Sequence, residues 1–525
     1  MEKKTITGTQ ISMRWVLTWK EAEKDLDGLP KKRKIKARLV ARGFEDPAQR
    51  NGELINTAKM ALRGSNQILL SVAAIFDWPV NKIDIQTAFL KSDYMERKLW
   101  LIPPAEANLK PNQTWRCKKA IYGLSDAPSD FHKTMENFLL KNKMWEEKHN
   151  LAFSQTVLDP CLFLVKNLNN EKICGVISTH VDDVLISGYP EFIKILRSEF
   201  DIRFDIVKFE SLPFTHCGIH ISRDQNGIKI DQDDYCSRLE VVPEGNKMQY
   251  NDVIDEKTLD LVRSQIGKLT YLTYGTRPDL AAKVGEYASL VTKFTYENVT
   301  GLNKVINYAM KTQKSLCYMF RKNVDITKIQ LLHFTDASFG GEKAKGGHRS
   351  RAGAVLCLSD GFPGGIHHTL YWGSRLLRRI AESTVCCEIL AMAEFVDILP
   401  MVREIYETIF GGHIPGNVLT DSENLFSHIK KSTEVKGRNI MHTFAKIQEL
   451  ISEGKISNLC LIAGTDNPAD PLTKGDRGVV GPLRSLLTIG SLPFINPFFW
   501  LKPKSAGRNG SVKTNSSSGS VKSDG

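Results

Sequence analysis

The sequence predicts a multidomain chain of mixed α/β and α+β class. Three observations carry that expectation. The chain has 525 residues and is 42% hydrophobic, apolar material enough for roughly two to four packed cores. Residues 264–324 are mostly helical in pattern and separate two differently patterned parts. From near residue 328, the strand-like runs IQLLHFTDA, AGAVLCLS and TLYWGSR precede alternating helices and strands. That order describes one compact α/β domain of about 150 residues.

The elements follow in chain order. Residues 11–44 hold two apolar-rich stretches, RWVLTW and ARLVARGF, around a polar turn with Asp27, Gly28 and Pro30. This is a β-hairpin with a basic lip. ILLSVAAIF (68–76) is a buried helix, and VNKIDIQTAFL (80–90) a strand running into a turn. FHKTMENFLLKN (131–142) is an amphipathic helix with Phe131, Met135, Phe138 and Leu139 on one side. GVISTHVDDVLISG (175–188) has two β-rich arms around a pair of acids, the form of a tight hairpin. In the later domain, Val385, Ile389, Met392, Val396 and Leu399 are spaced 4, 3, 4 and 3 apart on one long helix. A strand (GNVLTD), a helix (RNIMHTFAKIQELISE) and a strand (SNLCLIAG) follow. Residues 503–525 have too little apolar content to bury and read as a disordered basic tail.

Composition narrows the function. Lys and Arg total 71 against 59 Asp and Glu, a net charge of +12. The stretch Lys31–Arg42 holds seven cations and no acid, which favours a polyanionic partner. No apolar run approaches the roughly 20 residues of a membrane span, so that partner is expected to be nucleic acid, not a membrane. The start, MEKKTITGTQ, lacks the apolar core of a signal peptide. The 10 cysteines form no C-x-x-C pairs, which points to a reduced intracellular compartment.

Two sets of acids stand where rigid elements end. Asp84 closes a strand, and Asp182 and Asp183 lie at a hairpin tip. Asp336 ends the first strand of the later domain, Glu388 lies beside its helix's apolar stripe, Asp421 follows NVLTD's strand, and Asp470 sits in TDNPADPLTKG. Phosphoryl transfer with two divalent ions needs carboxylates from separate elements, holding the ions about 3.5–4 Å apart. Mg²⁺, a hard ion, suits all-oxygen ligands. Each acid also has an ordinary reading: turn residues for Asp182, Asp183 and Asp470, a helix N-cap for Asp421, a solvated helical charge for Glu388.

Company decides between these readings. RWVLTWK (14–20), KARLVARGFED (36–46), IDIQTAFL (83–90), KKAIYGLSDAP (118–128), HVDDVLISG (180–188) and IGKLTYLTYGTRPDLA (266–281) occur in the order seen in copia-type reverse transcriptases, which this part of the chain resembles. FTDAS, CCEILAMAE, LTDSENL and NPADPLTK resemble the ribonuclease H domain of the same copia-like LTR retrotransposon polyproteins. The resemblance implies a right-hand polymerase with fingers and palm, a helical connection, and a ribonuclease H-like α/β domain. It implies domains at 11–235, 236–327 and 328–478, flanked by extensions at 1–10 and 479–525. It makes Asp84, Asp182 and Asp183 the polymerase metal ligands, and Asp336, Glu388, Asp421 and Asp470 those of the nuclease. Lys36 and Arg38 would lie near the incoming triphosphate, sharing a strand face. Gly123 would let backbone approach the nucleotide. Phe89 would be an aromatic gate against the ribose 2′-OH; its ordinary reading is a core aromatic.

The implied function is RNA-directed DNA synthesis with cleavage of RNA in the hybrid, using two Mg²⁺ per site, with Mn²⁺ as a substitute. The implied partners are RNA template, DNA primer, RNA–DNA hybrid, deoxyribonucleoside triphosphates and other polyprotein products such as integrase and capsid. The implied location is cytoplasmic, in virus-like particles, and nuclear. The competing reading is a decayed, non-catalytic nucleic-acid-binding fragment. His442 falls where some relatives carry a product-release histidine, though a surface histidine reads equally well. Three further features are set aside. His216 and His220 read as one strand face without a second ligand pair, and Cys386 and Cys387 as helix packing. Trp15, Trp19 and Phe44 could stack on bases but are expected to pack the fingers core.

Overall fold

The computed structural model describes residues 8–20, 34–54, 59, 61–107, 113–205, 208–245, 250–313, 318–344, 347–431, 438–474, 481–492, 496 and 498–501. The expected turn at Asp27–Pro30 and the tail at 503–525 lie outside them. The chain divides into two compact units. The first comprises residues 1–61, 82–155 and 159–210; the second comprises 62–81, 156–158 and 211–525.

The first unit opens with the expected ribbon, β1 (Thr9–Lys20) antiparallel to β2 (Lys34–Ala41). A short helix α1 (Pro47–Arg50) follows. The next helix, α2 (Arg63–Ile75), belongs to the second unit. Then come β3 (Val80–Asp84), β4 (Leu99–Ile102) and β5 (Trp115–Cys117). One sheet has the order β2-β1-β4-β5. Helix α3 (Ala127–Glu136) continues as a π-helical turn over Asn137–Lys141, and α4 (Met144–His149) leads to β6 (Leu151–Gln155). Strands β7 (Leu162–Asn167), β8 (Lys172–His180) and β9 (Asp183–Gly188) form a meander, closed by α5 (Pro190–Phe204) and β10 (Lys208–Ser211). The second sheet runs β10-β3-β9-β8-β7-β6. Phe131, Met135, Phe138 and Leu139 pack with Phe192, Leu196 and Phe200 against Ile83, Val184 and Ile186. The predicted apolar side of α3 is thus the side that meets the sheet.

Three aromatics depart from expectation. Trp15 is 47% exposed, Trp19 66% and Phe44 61%, so none is a core residue. For the two tryptophans the reason lies in strand length: β4 pairs with β1 only over Thr9–Ser12, and β1 continues to Lys20, whereas Phe44 sits in the short turn Gly43–Glu45 after β2. The alternation is that of a half-buried strand, but among the described residues its outer half stays exposed at Trp15, Leu17 and Trp19.

The second unit begins with hairpins β11 (Phe214–His216), β12 (Ile219–Asp224) and β13 (Gly227–Asp231). His216 and His220 therefore do not share one strand. The chain reverses at Cys217 and Gly218, at φ +46° and +71°, and Thr215 faces His220 across the turn. Two left-handed residues in a row make a tight hairpin turn, which a single-strand reading misses. A helical turn α6 (Asp233–Cys236) precedes α7 (Glu256–Gly275), α8 (Ala281–Leu290) and α9 (Tyr296–Lys311), which enclose Leu269, Leu272, Leu302 and Ile306. Strand β14 (Tyr318–Arg321) pairs with β13, which ties residues 214–231 to this unit rather than to the segment before them.

The larger sheet contains β15 (Gln330–Ala344), β16 (Gly347–Ser359) and β17 (His367–Leu376), an antiparallel meander. The expected long helix is two helices, α10 (Thr384–Phe395) and α11 (Ile398–Phe410). Pro400 explains the break: it has no N–H for Val396 and its ring opposes a continuous helix. Then follow β18 (Gly416–Thr420), α12 (Glu423–Lys431), α13 (Arg438–Ser452) and β19 (Asn458–Leu461). Strands β18 and β19 add in parallel beside β15. The extension after residue 478 forms α14 (Pro482–Ile489) and β20 (Phe499–Leu501), and β20 pairs along the edge of β19. The sheet order is β17-β16-β15-β18-β19-β20. No helix among the described residues is long and apolar enough to cross a membrane.

Helix α2 packs on β17. Arg63 lies 3.8 Å from the Trp372 ring centroid and donates to the Tyr274 carbonyl at 3.0 Å. Ser71 Oγ is 2.8 Å from His368 Nδ1, and His368 Nε2 is 2.9 Å from the Arg321 carbonyl. A carbonyl only accepts, so Nε2 carries the proton and Nδ1 accepts from Ser71. Burial lowers the His368 pKa to about 4, which keeps the ring neutral.

Arg277 is buried. It pairs with Asp279 at 2.7 Å and donates to the Ala309 carbonyl and to Thr312 Oγ1, closing the end of α9. Arg277→Met leaves Asp279 charged and alone in the interior. It should cost about 3–5 kcal/mol of stability in denaturant unfolding, and Arg277→Met/Asp279→Leu should cost less. A double variant no better than the single would contradict this.

Candidate active sites in the two units

The first site is built at a strained turn. His180 and Asp183 face each other across β8 and β9, leaving Val181 and Asp182 as a two-residue tip. Val181 has φ +57°. That conformation is costly for a β-branched residue, of order 1–3 kcal/mol, and such cost concentrates at functional sites. The Ile85 N–H donates to the Asp182 carbonyl at 3.2 Å, tying the end of β3 to the tip. Asp84 is thereby brought beside the hairpin acids. Burial, then the charges of Asp183 and Asp84, raise the Asp182 pKa. Lys82, two residues before Asp84, pairs with Asp183 at 2.9 Å.

Tyr122 belongs to this neighbourhood. Burial and the charges of Asp182 and Asp84 raise its pKa, while Arg38 opposes them. The Arg38 guanidinium lies 5.9 Å from the Tyr122 ring centroid. The Phe89 ring meets Tyr122 at 4.9 Å, tilted by 62°. Phe89 is half-buried and touches both cores of the unit. Lys36 shares the Arg38 face but is exposed. Gly123 has a structural explanation. Its φ is +92°, and a Cβ there would sit 2.0 Å from the Ala41 carbonyl oxygen. The Ala41 N–H donates to the Tyr122 carbonyl at 2.8 Å, so the glycine lets two backbones cross at the end of β2.

The second site draws on four elements. Asp336 on β15, Glu388 on α10 and Asp421 after β18 bring oxygens within 4.8 Å of one another. Asp421 does not cap α12: Ser422 Oγ accepts from the Leu425 N–H at 3.3 Å. Glu388 is no solvated charge, since its Oε2 is buried without a hydrogen-bond partner. Asp470 stands beside this trio and pairs with Lys474. Opposite Asp336 lies Gly353, where a Cβ would meet Thr473 Cγ2 at 2.8 Å and the Ala469 carbonyl at 2.9 Å. The glycine therefore admits the 469–473 segment onto the sheet. Asn467 holds that segment by donating to the Thr335 carbonyl at 3.0 Å, and the Ser374 hydroxyl donates to Leu472's carbonyl at 2.6 Å. Thr473 Oγ1 donates to Asp336.

Burial first, then neighbouring carboxylates, push Asp336 up to about 6 and Glu388 up to about 9. Lys474 opposes both shifts. Crowded oxygen donors, one buried without a partner, fit a divalent cation. Tyr122, Lys82, Thr473 and Lys474 were not singled out by sequence reasoning, though all but Lys82 lie inside the motifs AIYGLSDAP and NPADPLTK, and Lys82 alternates with Asp84 on one strand. His442 is exposed on α13.

Residues 4–252 match the family described as reverse transcriptase (RNA-dependent DNA polymerase). The chain is 25% identical over 404 residues to the retrovirus-related Pol polyprotein from transposon RE1 of Arabidopsis thaliana, covering 73% of this chain and 25% of that protein. It is 25% identical over 489 residues to the Pol polyprotein from transposon TNT 1-94 of Nicotiana tabacum, covering 88% and 34%. The transposon Ty1-ER2 Gag-Pol polyprotein of Saccharomyces cerevisiae is also 25% identical, over 476 residues, covering 84% and 25%. The chain thus spans about a quarter to a third of the length of these relatives.

The raised pKa values set a sign for pH dependence. Without metal, the folded chain keeps the Glu388 proton that the unfolded chain releases near its ordinary value of 4.5. The folded state binds more protons, so stability falls as pH rises from about 4.5 to about 9. Glu388→Gln should flatten this fall and raise the melting temperature of metal-free protein at pH 8. Millimolar Mg²⁺ should stabilise the wild type and do so less for Glu388→Gln. Scanning calorimetry reads both effects; a variant with the wild-type slope would contradict the assignment.

Proposed function

We propose, from the premise that this chain is a copia-like retrotransposon Pol region containing a reverse transcriptase domain, that it synthesises DNA on an RNA template and cleaves the RNA of the resulting hybrid. One observation supports this above the others: in each unit, carboxylates from separate elements converge and raise one another's proton affinity.

In the first unit Asp84, Asp182 and Asp183 would hold Mg²⁺, with Mn²⁺ as a substitute. Divalent ions held this way favour ionisation of the attacking hydroxyl and offset charge on the leaving oxygen. Arg38 would address the triphosphate, with Lys36 farther along the same strand face. Tyr122 and Phe89 form an aromatic wall beside the acids. Lys82 orients Asp183. In the second unit Asp336, Glu388 and Asp421 would hold the ions for RNA hydrolysis, with Asp470 alongside. Thr473 fixes the Asp336 carboxylate, and Lys474 tempers the negative charge. The substrates are primer, RNA template, deoxyribonucleoside triphosphates and the hybrid.

Two tests follow. Asp182→Asn should abolish Mg²⁺-dependent primer extension and spare hybrid cleavage, whereas Glu388→Gln should do the reverse. Loss of both activities in either variant, with the fold intact by circular dichroism, would overturn the assignment of separate sites. Phe89→Val tests sugar selection. An aromatic wall offers a 2′-hydroxyl neither room nor a hydrogen-bond partner, worth a discrimination of about a hundredfold. The variant should insert ribonucleotides much more readily and deoxyribonucleotides at a similar rate. An unchanged preference in single-nucleotide insertion would leave Phe89 a packing residue only.

A further inference from the structure

Strand β3 carries a cation into the polymerase acids. Alternation puts Lys82 and Asp84 on one strand face, while Ile83 between them is buried in the core. β3 lies beside β9 in the sheet, and Asp183 opens β9. The Lys82 ammonium reaches that carboxylate, Nζ to Oδ1 at 2.9 Å. The two side chains are only 15% and 28% exposed, so salt and solvent screen the pair weakly. The charge of Lys82 acts on Asp182 as well.

Three acids and one ammonium thus meet where β3 ends and β9 begins. In the metal-free chain the ammonium offsets the mutual repulsion of the acids and steadies the hairpin tip. The same charge works against a divalent cation. A cation drawing on Asp183 would stand one carboxylate away from the ammonium, and like charges that close, in partly buried surroundings, repel strongly. The carboxylate cannot serve both in full. Lysine suits this contest, because its ammonium is a point charge on a flexible stem that can withdraw when outcompeted. A neutral hydrogen-bond donor at residue 82 could orient Asp183 but could not compete for it.

We propose that Lys82 is a built-in counter-cation of the polymerase acids: it competes with a divalent cation for Asp183 and so sets how readily the first unit takes up its metal. Lys82 is a positioning residue that acts through the acids, not a ligand. The proposal rests on the reading that Asp84, Asp182 and Asp183 hold Mg²⁺.

The test reads binding rather than turnover. It uses the full chain carrying Glu388→Gln, which lowers the contribution of the second unit. Mn²⁺ is titrated into metal-depleted protein, and the free ion is counted by electron paramagnetic resonance. Lys82→Gln removes the charge and keeps a donor; it should tighten Mn²⁺ binding by roughly tenfold. Lys82→Arg keeps the charge and should stay near the parent. In EDTA, Lys82→Gln should melt below the parent, and saturating Mn²⁺ should raise its melting temperature by more. One measurement needs no neutral variant. In the parent chain, heteronuclear NMR of the Lys82 ammonium, assigned by its loss in Lys82→Arg, should show the ion pair in EDTA and its release on adding Mg²⁺. Three results would overturn the proposal: unchanged or weaker Mn²⁺ binding in Lys82→Gln, equal tightening in Lys82→Gln and Lys82→Arg, or an ion pair that persists at saturating Mg²⁺. Adding Asp182→Asn to the parent separates the two readings. If Mn²⁺ binding survives that change intact, the metal-site reading fails and this proposal falls with it. If Asp182→Asn removes binding that Lys82→Gln does not tighten, only the counter-cation role fails.

Discussion

Repulsion among buried carboxylates is the constraint on which the rest of this structure depends. Asp336, Glu388 and Asp421 put oxygens within 4.8 Å of one another, and the low dielectric around them makes their charges costly. No single element could hold them there. A strand, a helix and a strand end each deliver one acid, and Gly353 clears the space through which Thr473 and Lys474 reach the same point. The first site solves the same problem more cheaply, with one hairpin tip. Its backbone carries the strain at Val181, and the Ile85–Asp182 hydrogen bond sets Asp84 against it.

Glycines serve these sites indirectly. Gly123 and Gly353 both admit backbone where any side chain would collide, one at the Ala41 carbonyl and the other at the 469–473 segment. Each lies one step from a chemical group: Gly123 follows Tyr122, and Gly353 faces Asp336. A motif glycine here marks where two pieces of main chain must cross so that a neighbour can act.

Much of this was legible in the sequence because short-range pattern and chemistry agreed. The tight hairpin around Asp182, the face of α3 with Phe131 and Phe138, and the meander from residue 330 follow from alternation and helical spacing alone. What was not legible depends on lengths and partners. Alternation in β1 reads as a core face but cannot reveal that β4 stops at Ile102 and leaves Trp15 and Trp19 bare. The apolar spacing of 385–399 runs through a break that Pro400 imposes. The reversal at Cys217 and Gly218 needs two left-handed residues, one of them not glycine. Tyr122 and Lys474 gain their roles only from neighbours far away in the chain.

The central claim is that both carboxylate clusters are cation sites, and calorimetric titration of the metal-depleted chain with Mn²⁺ tests it most directly. The account predicts saturable binding that Asp182→Asn and Glu388→Gln each reduce in part. Combined in one chain, the two substitutions should remove nearly all of it. A doubly substituted chain that remains folded and binds Mn²⁺ with the wild-type stoichiometry and affinity would contradict the account.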